Sequence, residues 1–261
     1  MLKQRIASAI VLAPIIIVPL YLGGVPFGLL LALLSCLSAG EYRNLLGNAQ
    51  LELHYVFIPI CIMIALTGLS HESAYLFYSL LIGALLLLSL SAIQKGIAVG
   101  AFGVSGAIYI GGFWGTMGLL RTGPDGREWA FLVLFVTWAA DIAAFFGGRA
   151  WGRHKLAPMI SPGKTWEGTV FGIAASTLVS VLWGIHMNLA VWQCAIIGIC
   201  LGIMAVTGDL VESSLKRYCN SKDSGNLIPG HGGVLDRFDS VLFTSAGGFV
   251  IRELLQVFHV I

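Results

Sequence analysis

The chain predicts an all-α fold that crosses a membrane about nine times, with its N-terminus in the cytoplasm. Three observations carry this reading. Of 261 residues 57% are hydrophobic and 11% charged, with a mean hydropathy of +0.88, whereas a soluble domain carries roughly 25% charge. Uncharged runs repeatedly approach or exceed the ~20 residues that cross a hydrocarbon core as a helix. No stretch shows the strict alternation that a membrane barrel requires.

The spans read, in order, as Ile6 to Leu22, Phe27 to Ala39, Tyr55 to Leu69, Ala74 to Ile93, Ile97 to Leu120, Trp129 to Gly147, Gly168 to Met187, Leu189 to Leu210 and Ser240 to Val260. The second and third are short and the last carries Arg252, so eight spans is the alternative count. Loop charge supports nine, because short cytoplasmic loops collect Lys and Arg. With the N-terminus inside, Lys3, Arg5, Arg43, Lys95, Arg149, Arg153, Lys155, Lys164, Lys216, Arg217, Lys222 and Arg237 are cytoplasmic, against Arg121 and Arg127 outside. The first span follows Lys3 and Arg5 as a secretory signal would, but no small-residue cleavage site follows promptly, so it is read as a retained helix.

No linker, low-complexity tract or repeat interrupts the pattern, which suits one integral-membrane domain, residues 1–261. The five cysteines contain no C-x-x-C pair and suggest packing rather than zinc or redox chemistry. The basic cytoplasmic face suits anionic headgroups or nucleotides. Too few basic residues are present for a nucleic-acid partner.

Electrostatics concentrate in one place. From Asp209 to Asp239 lie nine of the 28 charged side chains, between two apolar runs. Asp209, Glu212, Ser213 and Lys216 fall at i, i+3, i+4 and i+7, one face of a helix if the eighth span continues past Leu210. Asp236 and Asp239 repeat the i, i+3 spacing at the head of the ninth span, where acidic residues also simply favour the helix dipole. Asp141 is a further intramembrane carboxylate, either paired with a basic residue on another helix or part of the same acidic centre. Mg²⁺ takes oxygen ligands, usually one or two carboxylates plus substrate phosphates, so Asp141, Asp209, Asp236 and Asp239 are the metal-ligand candidates, with Asp209 and Asp236 principal.

Lys216, Arg217, Lys222 and Arg237 interleave with these acids, and the glycines Gly225, Gly230, Gly232 and Gly233 let backbone N–H groups approach phosphate. A solvated basic loop is the plainer reading of the same charges. His231 sits inside the glycine turn as a polar ligand, with Asp223 beside Lys222. A second segment, SPGKTWEG from Ser161 to Gly168, resembles the end of a Walker A loop, but its five-back position is Pro158 rather than glycine, so a P-loop is rejected. Ser161 and Lys164 remain phosphate contacts, and Thr165 with Glu167 equally reads as a helix cap.

The string S-x-L-K-R-x4-K-D-x-G-x2-I-P-x-H-G-G-x2-D-R-F-D from Ser213 to Asp239 resembles, without gaps, the signature of phosphatidate cytidylyltransferases, or CDP-diacylglycerol synthases. The resemblance extends to TGDLVES from Thr207, ISPGKTWEG from Ile160, and Asp141 with GGRAWGRHKLAP, whereas the N-terminal spans match only in hydropathy. Phe145 stands where the family often has tyrosine, and Gly163 where it frequently has lysine.

The resemblance implies CTP plus phosphatidic acid giving CDP-diacylglycerol and pyrophosphate, magnesium, and a homodimer; a second cation could hold the lipid phosphate or the leaving pyrophosphate. The location it implies is the cell membrane, in a bacterium the inner membrane, with the active site facing the cytoplasm. Residues 129–261 would be the catalytic half and 1–128 the packing and dimer half. Asp209, Asp236, Lys216, Lys222 and His231 would be catalytic. Ser161, Lys164, Ser213, Arg217, Asp223, Gly232, Gly233 and Arg237 would contact substrate. The attacking phosphomonoester has a second pKa of about 6 and needs no strong base; cations and fixed dipoles must instead offset its repulsion from the triphosphate. Two rivals are weaker. A CDP-alcohol phosphotransferase needs D-G-x2-A-R followed by G-x3-D-x3-D, which is absent, and a transporter needs no phosphate cradle beside its intramembrane acids.

Overall fold

The computed structural model describes residues 2–70, 72–228 and 232–257. Among the described residues ten α-helices follow one another: α1 (Leu2–Leu22), α2 (Gly24–Asn48), α3 (Phe57–Thr67), α4 (Ser73–Lys95), α5 (Ile97–Gly106), α6 (Phe113–Thr122), α7 (Gly126–Trp151), α8 (Trp166–Gly184), α9 (Val191–Tyr218) and α10 (Leu235–Val257). A π-helical stretch, Ala107–Gly112, joins α5 to α6 in one apolar rod. The departure from all-α is a two-stranded antiparallel hairpin, β1 (Lys155–Ala157) with β2 (Ser161–Thr165).

Among the described residues six helical segments are long and apolar enough to span a bilayer: Gly24–Asn48, Ala74–Lys95, Ile97–Thr122, Gly126–Trp151, Trp166–Met187 and Val191–Tyr218. Val11–Leu22 and Phe57–Thr67 are shorter apolar helices. The fold is therefore an all-helical polytopic membrane protein. The second span is corrected most: where Phe27 to Ala39 is expected, α2 runs to Asn48 and carries Glu41 and Arg43 in its last turns. The end of the predicted ninth span, residues 258–260, lies outside the described residues.

The chain divides into two compact units. One comprises Met1–Arg127 and Lys216–Phe238, the other Glu128–Leu215 and Asp239–Ile261. In the first, α2, α3, α4 and the α5–α6 rod pack together around Leu31, Leu45, Leu46, Phe57, Ile64 and Trp114, all nearly inaccessible. Burying each such side chain is worth about 1.5–3 kcal/mol in water, but lipid supplies no such drive, and close packing and internal hydrogen bonds matter instead. Arg121 answers that need: its guanidinium donates to the carbonyls of Leu20 (2.6 Å) and Tyr21 (3.0 Å), which the end of α1 leaves without helical partners. In the second unit, Trp129, Leu132, Val133, Leu201, Ala205 and Leu242 form the core. Its buried hydroxyls bond across helices, Thr137 with Thr244 at 2.7 Å and Ser180 to the Cys194 carbonyl at 2.7 Å. All five cysteines are free.

Candidate active site

The signature segment belongs to the first unit. α9 ends at Tyr218, where Asn220 takes a left-handed conformation (φ 51°) and a loop runs on to α10. Near the end of α9, Lys216 is buried and its ammonium lies 2.6 Å from the Asp236 carboxylate, in the first turn of α10. The other Asp236 oxygen accepts from the Ser224 backbone N–H (2.8 Å), the Ser224 hydroxyl (2.9 Å) and the Gly233 N–H (2.8 Å). Burial alone raises the Asp236 pKa, but the Lys216 bond and charge and the Gly233 and Ser224 donors outweigh it and hold the carboxyl below its ordinary range.

The segment has a left-handed Gly232 (φ +86°), whose missing Cβ would sit 2.6 Å from an Asp236 oxygen, so glycine is what allows the backbone this close to the carboxylate. Ile228 and Gly232 close a small bridge. Arg217 donates to the Ser221 carbonyl (3.0 Å), and the Ser221 hydroxyl to the Asp223 carbonyl (2.8 Å). Arg237, Lys222 and Asp223 are exposed. His231 lies outside the described residues.

Sequence reasoning missed Glu41. It is buried on α2 and accepts from the Ser224 hydroxyl (2.9 Å) and from the backbone N–H groups of Val234 (2.8 Å) and Leu235 (2.7 Å). Those two N–H groups open α10 and have no partner within the helix, so Glu41 serves as a cap supplied from 193 and 194 residues away. Ser224 thus stands between two carboxylates: its backbone N–H holds Asp236, and its one hydroxyl proton lies within reach of both Glu41 and Asp236. The one available signal was a carboxylate at the end of an apolar run, a costly placement without a partner.

In the second unit α9 extends past Leu210, as the charged face required, and Ser213 donates to Asp209 at 3.1 Å across one helical turn. The second Asp209 oxygen meets the Lys164 ammonium at 2.8 Å. Lys164 is carried by β2, whose hairpin ends where Thr165 caps α8 by accepting from the Gly168 N–H (3.1 Å). The capping alternative for Thr165 is therefore realised alongside the Lys164 contact. Glu167 does not close a capping box; it accepts from the Arg153 N–H (3.0 Å) and pairs with His154 (2.6 Å), tying the chain ahead of β1 to the start of α8. Ser161 begins β2, half-buried.

Asp239 lies just before the apolar part of α10 and is buried. α9 approaches it through Gly208, where a Cβ would fall 2.6 Å from the Asp239 carbonyl oxygen. Burial, then the like charges of Asp209, Glu212 and Asp141, push the Asp239 carboxyl well above the ordinary carboxylate range. Carboxylates from α7, α9 and α10 thus crowd one another. Even so, among the described residues no three His, Cys, Asp or Glu side chains stand as a ready-made metal cage. The donors present are hard oxygens, and Mg²⁺ characteristically takes only one or two protein carboxylates and completes its shell with water and phosphate, so the chemistry of this set fits that ion.

Fold and site together define a polytopic membrane protein with two carboxylate–lysine pairs, Asp236–Lys216 buried and Asp209–Lys164 part-exposed, beside glycine-containing loops, a charge pattern suited to phosphate anions. The chain belongs to the cytidylyltransferase family, whose model matches residues 3–255. It is 34% identical over 250 residues to a phosphatidate cytidylyltransferase of Staphylococcus haemolyticus, covering 93% of this chain and 95% of that one. To the protein of the same name from Pseudomonas aeruginosa it is 36% identical over 261 residues, covering 92% and 93%.

Proposed function

We propose that the protein is a phosphatidate cytidylyltransferase: a phosphate oxygen of phosphatidic acid attacks the α-phosphorus of CTP, the bond to the β-phosphate breaks, and CDP-diacylglycerol and pyrophosphate result. The observation that carries this is similarity over nearly the whole chain to proteins of that name, joined to a site that answers the needs of the reaction. The nucleophile is already ionised near neutral pH, so the protein has to place two polyanions together and shield their repulsion.

In this reading Lys164, held at Asp209, and the exposed Lys222 and Arg237 neutralise phosphate oxygens. The Gly233 N–H is taken by Asp236, and His231, which lies outside the described residues, keeps the phosphate-contact role that its place in the signature implies. Asp209, Asp239 and Asp141 would hold magnesium, which would supply positive charge between nucleotide and lipid phosphates; the like-charge crowding at Asp239 supports them as that set. Asp236, the other principal candidate on sequence grounds, has both oxygens engaged by Lys216, Ser224 and Gly233, as Asp209 has its two by Ser213 and Lys164, so engagement separates neither from the metal set and Asp236 is kept in it. It also fixes the signature loop and places Lys216. A cytoplasmic N-terminus and active site, a second cation and a homodimer complete the reading.

The test is direct. Purified protein is incubated with labelled CTP, phosphatidic acid and Mg²⁺, and lipid-extractable cytidine is measured against released pyrophosphate. Equal amounts of both, abolished by EDTA and restored by Mg²⁺, are expected. Absence of both products at every magnesium concentration overturns the activity; full turnover in EDTA overturns the metal.

A further inference from the structure

Between the end of α2 and the loop that follows α9 lies an open cleft of about 300 Å³, lined by Asn44, Leu45, Asn48, Ser221, Lys222, Asp223, Ser224, Gly225 and Asn226. Its volume is at the small end of ligand sites, which run roughly 300–1,000 Å³. Its chemistry is selective. Leu45 supplies the one aliphatic wall and is itself buried, so the cleft offers nothing to an acyl chain. One cation and one carboxylate offset each other, so it is no trap for a polyanion alone. What remains is three carboxamides, two of them one helical turn apart on α2, each presenting both a donor and an acceptor.

We propose that this cleft binds the pyrimidine base of the nucleotide and that Asp223 reads its exocyclic amino group. The inference rests on the proposed CTP chemistry and adds the place where the base sits and the residue that selects it. Cytosine shows an amino donor beside ring and carbonyl acceptors; a carboxylate is the natural acceptor for that amino group, and amide groups match the remaining edge. Uracil puts a carbonyl where cytosine has the amine, so it would face the Asp223 carboxylate oxygen to oxygen. Asp223 is exposed at an open cleft, so the discrimination comes from that oxygen-to-oxygen repulsion and the lost hydrogen bond, on the order of tenfold.

Two features connect this cleft to the reacting end. Lys222 lines it and neighbours Asp223, so a base bound there brings its phosphates to a cation. Ser224 forms part of the lining, while its N–H and hydroxyl hold Asp236, the partner of Lys216. The position of Asp223 is also set. Its carbonyl is held by the Ser221 hydroxyl, and its Cβ would stand 3.6 Å from a Cβ at the left-handed Gly232.

The test compares wild type and Asp223→Asn with CTP and UTP at saturating phosphatidic acid. An amide donates to the uracil carbonyl as readily as it accepts from the cytosine amine, so the CTP-to-UTP ratio of kcat/KM should fall tenfold or more. A variant that loses activity toward both nucleotides equally, with its ratio unmoved, overturns the proposal. Where turnover is too slow to read, competition of unlabelled CTP and UTP against labelled CTP for binding to the same detergent-purified protein gives the ratio directly. Asn48→Ala should raise KM for CTP about tenfold while KM for phosphatidic acid changes less than threefold; equal changes in both constants also overturn it. Wild type that makes no cytidine lipid sinks the activity itself, whereas an active wild type with an unmoved ratio sinks only the base-reading role.

Discussion

Replacing Glu41 by Gln is the sharpest probe of how the signature loop is held. One Glu41 oxygen accepts from Val234, the other from Leu235 and Ser224. A glutamine that keeps its carbonyl on the Leu235 and Ser224 side retains two bonds, and turns an NH₂ toward the Val234 N–H. The loss is one charge-assisted hydrogen bond, about 1.5–3 kcal/mol, and the negative charge at the head of α10, about 0.3–1 kcal/mol. Together these remove roughly 2–4 kcal/mol, or at least about a thirtyfold shift toward the open loop at 1.4 kcal/mol per decade. The variant should still purify as a monodisperse helical protein by size exclusion and circular dichroism, because the membrane helices keep their packing. Its kcat/KM for CTP should fall at least tenfold, and Glu41→Ala should fall further. A Glu41→Gln protein with wild-type kinetics and wild-type thermal unfolding would refute the strut.

Three further perturbations follow from the same geometry. Asp236→Asn should abolish cytidine transfer in a protein that remains folded. Because the folded-state pKa of Asp236 is depressed, the wild-type carboxylate contributes stability that is present above its unfolded pKa of about 3.9 and is lost as pH falls through the folded value; the melting temperature of wild type should therefore drop more steeply than that of Asp236→Asn on acidification below about pH 4. Lys164→Ala breaks a half-exposed ion pair worth about 0–1 kcal/mol, so thermal unfolding should barely move while KM for CTP rises about tenfold; unchanged kinetics would reduce the β1–β2 hairpin to a helix cap. Thr165→Ala should cost about 1 kcal/mol at the start of α8, read as a lowered melting temperature that Thr165→Ser largely restores.

The parts of this protein that its sequence discloses are those set by local pattern. Apolar length places α4, α7 and α8 within a few residues and the start of α9, whose end runs eight residues past the expected Leu210, and the i, i+4 relation of Asp209 and Ser213 appears as a hydrogen bond. The gap-free signature marks the loop that carries Lys216, Ser224 and Asp236. What escapes is whatever depends on a distant partner. Glu41 and Arg43 look like a loop boundary and shorten α2 on paper by nine residues, yet Glu41 is buried because it satisfies backbone donors near residue 234. Nothing local shows that Lys216 reaches Asp236, 20 residues later. The Glu167–His154 pair is hidden for the same reason, since it depends on a hairpin folding back.

The strut from α2 bears on how relatives can be recombined. A chimera joined near residue 128 would take Glu41 from one parent and the Val234–Leu235 turn from the other, and a single helix turn of slippage in α2 would move that carboxylate about 5.4 Å along the axis. Exchangeable pieces of this enzyme are therefore discontinuous: residues 216–238 travel with the N-terminal helices, and a library that moves them as one cassette should give active hybrids more often than one cut at the middle of the chain.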